Sequence, residues 1–190
     1  MKQAVLVGAI AVTFFAAGWI SSTQTLAARN VDSAAILQNA ESLFTAGKTD
    51  EAIRNLKDVI KTSPENSEAY RLLGQAYTSK ENFQEAEKNF QKAIDLKPND
   101  ADVFHQLGLM YVKKGNAQAA IRSFTLATKF NPEHVEAYNS LGNVAMATGD
   151  IKRALEYYQK VLQIDPEHEA TKKSLAQIGK VAQNQKTNLQ

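Results

Sequence analysis

The stretch SEAYRLLGQAYTSKENFQEAEKNFQKAIDLKP, residues Ser67–Pro98, decides the fold because its pattern of apolar and small residues recurs along the chain. Eight positions carry the pattern: Tyr70, Leu73, Gly74, Tyr77, Ala86, Phe90, Ala93 and Pro98. Thirty-four residues later, all eight are chemically matched by Phe104, Leu107, Gly108, Tyr111, Ala120, Phe124, Ala127 and Pro132. The chain is therefore expected to repeat one structural unit.

The same period extends in both directions. A further step of thirty-four residues gives Tyr138, Leu141, Gly142, Ala145, Ala154, Tyr158, Val161 and Pro166, where only Ala145 and Val161 depart from the pattern. One step backwards gives a weaker copy: Ile36, Asn39, Ala40, Leu43, Ala52, Leu56, Val59 and Pro64. All 4 prolines thus stand at one phase of the period.

Each copy is predicted to form two amphipathic helices, A and B, because apolar residues recur at spacings of three and four. Gly74 and Ala86 lack bulk, so the two helices can approach closely while Phe90 fills the adjacent space. The proline ends helix B because it has no amide hydrogen and disfavours helical geometry in the preceding residue.

Polar residues at the helix starts are expected to act as N-caps. Asn66, Asp100 and Asp50 offer side-chain oxygens for this role, whereas His134 and His168 occupy the phase of Asn66 and cap less well.

Glycine stands at the turn between helices A and B in three copies, at Gly47, Gly115 and Gly149. The second copy has Glu81 at that phase, so the neighbouring Asn82 is expected to adopt the left-handed backbone.

The period and the aromatic-x-x-Leu-Gly-x-x-Tyr, Ala-x-x-x-Phe and Pro positions resemble the tetratricopeptide repeat (TPR). The resemblance implies an all-α, right-handed α-solenoid of helix-turn-helix repeats. The predicted organisation is a signal peptide or N-terminal membrane anchor at 1–28, a tether at 29–32, a degenerate repeat at 33–66, full repeats at 67–100, 101–134 and 135–168, a capping helix at 169–184 and a disordered tail at 185–190. The apolar stripe of the capping helix is Ala170, Leu175, Ile178 and Ala182.

The N-terminus predicts export. Lys2 precedes an uncharged apolar run, Ala4–Ile20, which ends in Trp19-Ile20. A cleaved signal peptide and a retained anchor are equally favoured, and an apolar first solenoid helix is less favoured. Both leading interpretations place the repeats outside the cytoplasm, as a periplasmic or secreted protein or one anchored to the inner membrane by residues 4–20.

Composition excludes several classes of function. Lys and Arg number 22 against 20 Asp and Glu, without a basic run longer than two residues, which argues against nucleic acid as a partner. The chain has no cysteine, so disulfides, thiol nucleophiles and thiolate zinc sites are excluded.

No catalytic, metal or cofactor site is predicted. The sequence holds no HExxH, P-loop or GxSxG motif. His105, His134 and His168 are too far apart in the pattern for a metal site, so surface or groove positions are expected for them. The regular aromatic residues share the phase of the repeat core, and core packing explains them. We predict that the protein is not an enzyme.

The resemblance implies that the A helices line a concave surface that binds partners. Its family positions fall on Arg71, Gln75 and Thr78 in the second copy, His105, Leu109 and Val112 in the third, and Asn139, Asn143 and Met146 in the fourth. We call these nine residues the A-helix face. Amide side chains suit an extended backbone and the apolar ones suit an apolar side chain. The alternative is a set of solvated positions with no partner.

The sequence does not predict a clamp for a C-terminal carboxylate. Arg71 and Gln75 imitate only loosely the Lys and Asn pair of such clamps, and Asn139 and Asn143 supply no second charge.

The sequence favours a protein-binding scaffold of the cell envelope that holds a segment of another protein. Two alternatives stay open: self-assembly into a homo-oligomer through the terminal repeats, and an accessory subunit of an envelope enzyme complex.

Overall fold

The computed structural model describes residues 34–187 of the chain, and within them it contains α-helices joined by short turns. Residues 34–45 are helical (α1), followed by α2 (Thr49–Thr62), α3 (Ser67–Ser79), α4 (Phe83–Leu96), α5 (Ala101–Lys113), α6 (Ala117–Phe130), α7 (Val135–Ala147), α8 (Ile151–Ile164) and α9 (Glu169–Thr187). This confirms the predicted all-α fold. The predicted signal and tether lie outside the described residues, and among the helices of residues 34–187 none is long and apolar enough to cross a membrane.

The described residues form two compact units, which meet in the sequence at Ala69 and Tyr70. In the first unit, one apolar stripe of α2 is buried: Ala52, Ile53, Leu56 and Val59. The predicted cap of this helix is wrong, because α2 begins at Thr49 with Lys48 at the N-cap and no side-chain hydrogen bond there. Asp50 lies instead in the first turn, where its negative charge favours the helix dipole.

In the second unit, helices neighbouring in sequence pack against each other. The contacts join α5 to α6 and α7 to α8 within copies, and α4 to α5, α6 to α7 and α8 to α9 between them. At the junction between α4 and α5, Tyr111 on α5 donates its hydroxyl to Glu87 on α4 over 2.6 Å. Burial, followed by this hydrogen bond, raises the pKa of Tyr111 to about 12.

Each full copy closes on a contact between a glycine of helix A and an aromatic ring of helix B. A Cβ atom built on Gly74 would come within 2.6 Å of the Phe90 ring. Gly108 meets Phe124 in the same way, and Gly142 meets Tyr158. All three rings are almost completely buried. Glycine is therefore required here by space.

Most of the predicted caps are present. Asn66 accepts a hydrogen bond from the backbone N–H of Ala69, and Asp100 accepts from the first turn of α5. His134 makes no side-chain cap bond, whereas His168 accepts from the N–H of Thr171 through Nδ1 over 3.3 Å.

The A–B turn of the second copy differs from the prediction. Glu81 itself has the left-handed backbone, with φ of 59°, as do the glycines at this phase in the other copies. Asn82 has φ of −82° and caps α4 by accepting from the N–H of Glu85. The prediction for Asn82 is wrong because its side chain is needed at the helix start.

The last helix, α9, continues past residue 184, the predicted end, to Thr187. Leu175 and Ile178 pack on the core formed by Ala145, Ala154 and Tyr158, whereas Ala170 is exposed. Thr171, a polar residue, is fully buried in its place.

Candidate functional site

The A helices of the second unit are linked to one another by side-chain bonds. Lys113 at the end of α5 donates to the carbonyl oxygens of Thr78 and Ser79, over 3.2 and 3.1 Å. These carbonyls lie in the last turn of α3, where carbonyls lack partners within the helix, and that of Thr78 also accepts from the N–H of Glu81. Helices α5 and α7 also contact directly. The A-helix face is therefore built on helices held in fixed register.

Two of the three α5 residues of the A-helix face are apolar and exposed. Leu109 is 39% exposed and Val112 is 46% exposed. They lie one helical turn apart, so their side chains are neighbours on the helix surface. Exposed apolar pairs of this kind bury surface when a partner binds.

The α3 part of the A-helix face is polar. Arg71, Gln75 and Thr78 are all half-buried. Thr78 donates its hydroxyl to the carbonyl of Gly74 over 2.7 Å, within its own helix. Only the acceptor capacity of this hydroxyl remains for a partner.

The amides of α7 are both engaged through their oxygens. Asn143 is exposed and accepts a hydrogen bond from the Tyr158 hydroxyl over 2.8 Å. Asn139 accepts from the Thr171 hydroxyl over 3.0 Å, which ties α7 to α9. Each amide therefore also bonds a neighbouring helix, Asn143 to α8 and Asn139 to α9. Their N–H donors remain for a partner.

Met146, the last member of the face on α7, is half-buried and packs against the core cluster that contains Ala145 and Tyr158. It contributes to the inside of the fourth copy as well as to the face.

His105 is buried within the face, with 9% of its surface exposed. Its Nε2 lies 3.2 Å from the Ser140 hydroxyl, and its ring lies against the rings of Phe124 and His134. His134 is also buried, with 6% exposed. His134 is therefore not at the surface as expected, and His105 keeps its place in the face but is enclosed, because the junction between the third and fourth copies covers both rings.

The electrostatics of this junction keep His105 neutral. Burial, and next the neighbouring His134, lower the pKa of His105 to about 4, against the opposing effect of the Glu136 and Asp102 carboxylates. Within the described part of the chain, no group of three or more His, Asp or Glu residues could hold a metal ion.

Sequence reasoning missed the residues that support the face. Lys113, Ser140 and Thr171 act across copies, and nothing in their local pattern marks them. One signal was available: Tyr158 stands where the other copies have Phe90 and Phe124, and its extra hydroxyl needs a partner.

Comparisons with known proteins agree with this architecture. Three family models, each described as tetratricopeptide repeat, match residues 37–101, 89–122 and 135–168. No match was found among curated proteins. A crystal structure of MamA is 27% identical, with a TM-score of 0.63, and the match covers 71% of this chain and 79% of that one.

Two further solved structures share the fold at lower identity. A structure of pilF from Pseudomonas aeruginosa is 19% identical with a TM-score of 0.69, and the match covers 75% of this chain and 65% of that one. An O-GlcNAc transferase of Thermobaculum terrenum is 23% identical with a TM-score of 0.65, over 71% of this chain but only 26% of the transferase. Together the three family matches span residues 37–122 and 135–168, and the chain belongs to the tetratricopeptide repeat family.

Proposed function

We propose that this chain is a non-enzymatic scaffold that binds a segment of another protein along the A-helix face. TPR proteins bind other proteins or peptides, and the helices that carry this face are fastened to each other by side-chain bonds. A preformed surface loses little entropy when a partner binds.

The exposed apolar pair on α5 is the observation that carries the proposal. Leu109 and Val112 stay exposed although the other large apolar residues of the third copy are buried or half-buried. The exposed Asn143 lies on the adjacent A helix with its amide N–H groups available. An extended segment would place an apolar side chain on α5 and backbone carbonyls against α7.

Site-specific crosslinking tests where the partner binds. A photoreactive phenylalanine analogue replaces Leu109 or Val112 in living cells, and we expect both positions to capture one and the same protein. The matched controls are Arg122 and Lys129, which are exposed on the B helix of the same copy. Equal capture from the controls would contradict the proposal, and capture of a second copy of this chain would favour self-assembly.

Titration with the captured partner tests the amides. Asn139→Ala with Asn143→Ala is expected to weaken binding roughly five- to a hundred-fold, since each lost hydrogen bond costs about 0.5 to 1.5 kcal/mol. The control for Asn143 is Tyr158→Phe, which removes the hydroxyl bonded to it but keeps the amide on the surface. Lys88→Ala, an exposed change on α4, controls for unspecific effects. A double variant that binds like the parent would place the site elsewhere.

We also propose that the scaffold works in the cell envelope. The support is sequence-based: Lys2 precedes the uncharged run at 4–20 and favours a cytoplasmic N-terminus, with the repeats exported across the membrane. A reporter that is active only outside the cytoplasm, fused after Gln190, should be active. Alkaline extraction then separates an anchored chain from a cleaved one, and an intact chain found only in the cytoplasm would contradict export.

A further inference from the structure

The junction between the third and fourth copies contains a buried histidine placed between two carboxylates. His134 Nδ1 lies 3.1 Å from Glu136 Oε2 on α7. Its Nε2 lies 3.3 Å from Asp102 Oδ1, at the start of α5. The ring thus stands between the first turns of two successive A helices.

A neutral imidazole cannot satisfy both carboxylates, because it carries one N–H and one lone pair. In the structure, Nε2 of His134 is buried and makes no hydrogen bond, although Asp102 is within ion-pair distance. A buried polar atom without a partner costs free energy. Protonation would give both ring nitrogens an N–H and satisfy both carboxylates at once.

We propose that His134 is a proton-operated latch, which on acidification donates to Asp102 and Glu136 together and fastens the third copy to the fourth. This inference does not depend on the proposed partner binding.

The surroundings of His134 favour a single proton at this junction. From α5, the titratable groups that face it are Asp102 and His105, and from α7 it is Glu136. From α6, the uncharged ring of Phe124 lies against His105. His105 lies with its ring centre 5.0 Å from that of His134, so a second cation there is disfavoured.

The acceptor on α7 remains charged in mild acid. A backbone hydrogen bond, the largest cause, together with the nearby His134, lowers the pKa of Glu136. A charged carboxylate is the stronger acceptor for a cationic N–H. The latch therefore has a charged acceptor when the imidazole is protonated.

Hydrogen exchange of the purified full chain tests the latch. The backbone amides at residues 137–141, corrected for the intrinsic effect of pH, are compared between the parent and Asp102→Asn. We expect the ratio of parent to variant protection to rise about three-fold between pH 8 and pH 5.5, as one partly exposed ion pair allows. Contributions that do not involve the Asp102 charge are common to both proteins and cancel in this ratio.

The control is His168→Gln, at the same phase one repeat later, where the histidine bonds to Thr171. The ratio of parent to His168→Gln protection at residues 137–141 should stay constant with pH. An unchanged or falling ratio for Asp102→Asn would overturn the proposal.

Nitrogen NMR of the His134 imidazole provides a second measurement, which needs no variant. Both ring nitrogens should carry hydrogen-bonded protons at pH 5.5, and only one should do so at pH 8. A ring that keeps a single proton at pH 5.5 would also overturn the latch.

Discussion

The glycine of helix A, which has no side chain, controls how closely the two helices of each full copy approach. Gly108 faces the Phe124 ring, and an added Cβ would lie 2.4 Å from the nearest ring atom. Gly108→Ala must therefore displace a fully buried ring. We expect the free energy of unfolding to fall by about 1 to 3 kcal/mol, with melting several degrees lower. Thermal denaturation of both proteins measures this.

The matched control for this contact is Gly179→Ala in α9, where an added Cβ meets nothing within 4 Å. That change should stabilise the protein by about 0.5 to 1 kcal/mol, since alanine favours helix over glycine. Gly108→Ala should cost less stability when it is made in a Phe124→Leu protein, because the ring that it displaces is then absent. Equal effects of the two alanines on melting would contradict the steric explanation.

Glu81 is a strained residue in the A–B turn of the second copy. Its φ of 59° is left-handed, a conformation that costs a non-glycine residue about 1 to 3 kcal/mol. Glu81→Gly should raise the free energy of unfolding by about 1 kcal/mol, after subtracting the greater entropy of an unfolded glycine. The exposed ion pair with Lys113, at 3.5 Å, contributes too little to reverse this.

The reverse substitution, Gly115→Glu, tests the effect of the left-handed backbone at the equivalent turn of the third copy. Gly115 has φ of 78° and open space around it, so only the backbone is affected. Chemical denaturation should show that the free energy of unfolding of Gly115→Glu falls by about the amount by which that of Glu81→Gly rises. Stabilisation by both changes would mean that side-chain contacts, and not backbone strain, decide these turns.

At the scale of elements, α9 is held to the fourth copy by a polar contact as well as an apolar one. Thr171 is fully buried, and its hydroxyl donates to Asn139 on α7. Thr171→Val keeps the shape but leaves the Asn139 oxygen without this donor. We expect a loss of about 1 kcal/mol, seen as faster hydrogen exchange along α9.

Thr125→Val is the appropriate control, because this exposed hydroxyl bonds only to the carbonyl of Ile121 in its own helix. Exchange in α9 should not respond to it. If Thr171→Val left α9 exchange unchanged, the apolar contacts of Leu175 and Ile178 would be sufficient to hold the helix.

The helices themselves were predictable because their signals are local. Apolar spacing identified the helices of the repeats, and side chains such as Asn66 and Asp100 marked two of the caps. Asp50 was misassigned because several residues near a helix start can serve as its first position. Asn82 was misassigned because the same side chain favours a cap and a left-handed turn, and the cap stabilises the following helix.

At the scale of the whole molecule, stability should depend on pH through His105. Its folded pKa is about 4, below the usual 6.5, so the unfolded chain binds more protons between these values. Stability from this residue is therefore complete above pH 6.5 and is lost as the pH falls towards 4. The loss should reach about 2 kcal/mol by pH 5.

Urea denaturation between pH 8 and pH 5 measures this effect. His105→Gln, which retains a polar group near Ser140, should lose less stability on acidification than the parent. His168→Gln serves as the control and should follow the parent more closely. Identical pH profiles for the parent and His105→Gln would show that the buried ring is accessible to protons without unfolding.

The sequence alone determined the repeat, the helix pairs and the close approach of the two helices at the glycine of each full copy. These properties follow from residue spacing within one copy, where the period of an α-helix places the side chains on known faces. The positions of the A-helix face came from the resemblance to the tetratricopeptide repeat.

Only the tertiary structure decided what these side chains contact. Asn139 meets Thr171, His105 meets Ser140 and His134, and Lys113 meets the end of α3. Each pair joins residues of different helices or turns, so its distance depends on how these elements pack and not on local periodicity. Burial then changes the chemistry, since an enclosed histidine resists protonation and an amide with its oxygen engaged presents only its donors.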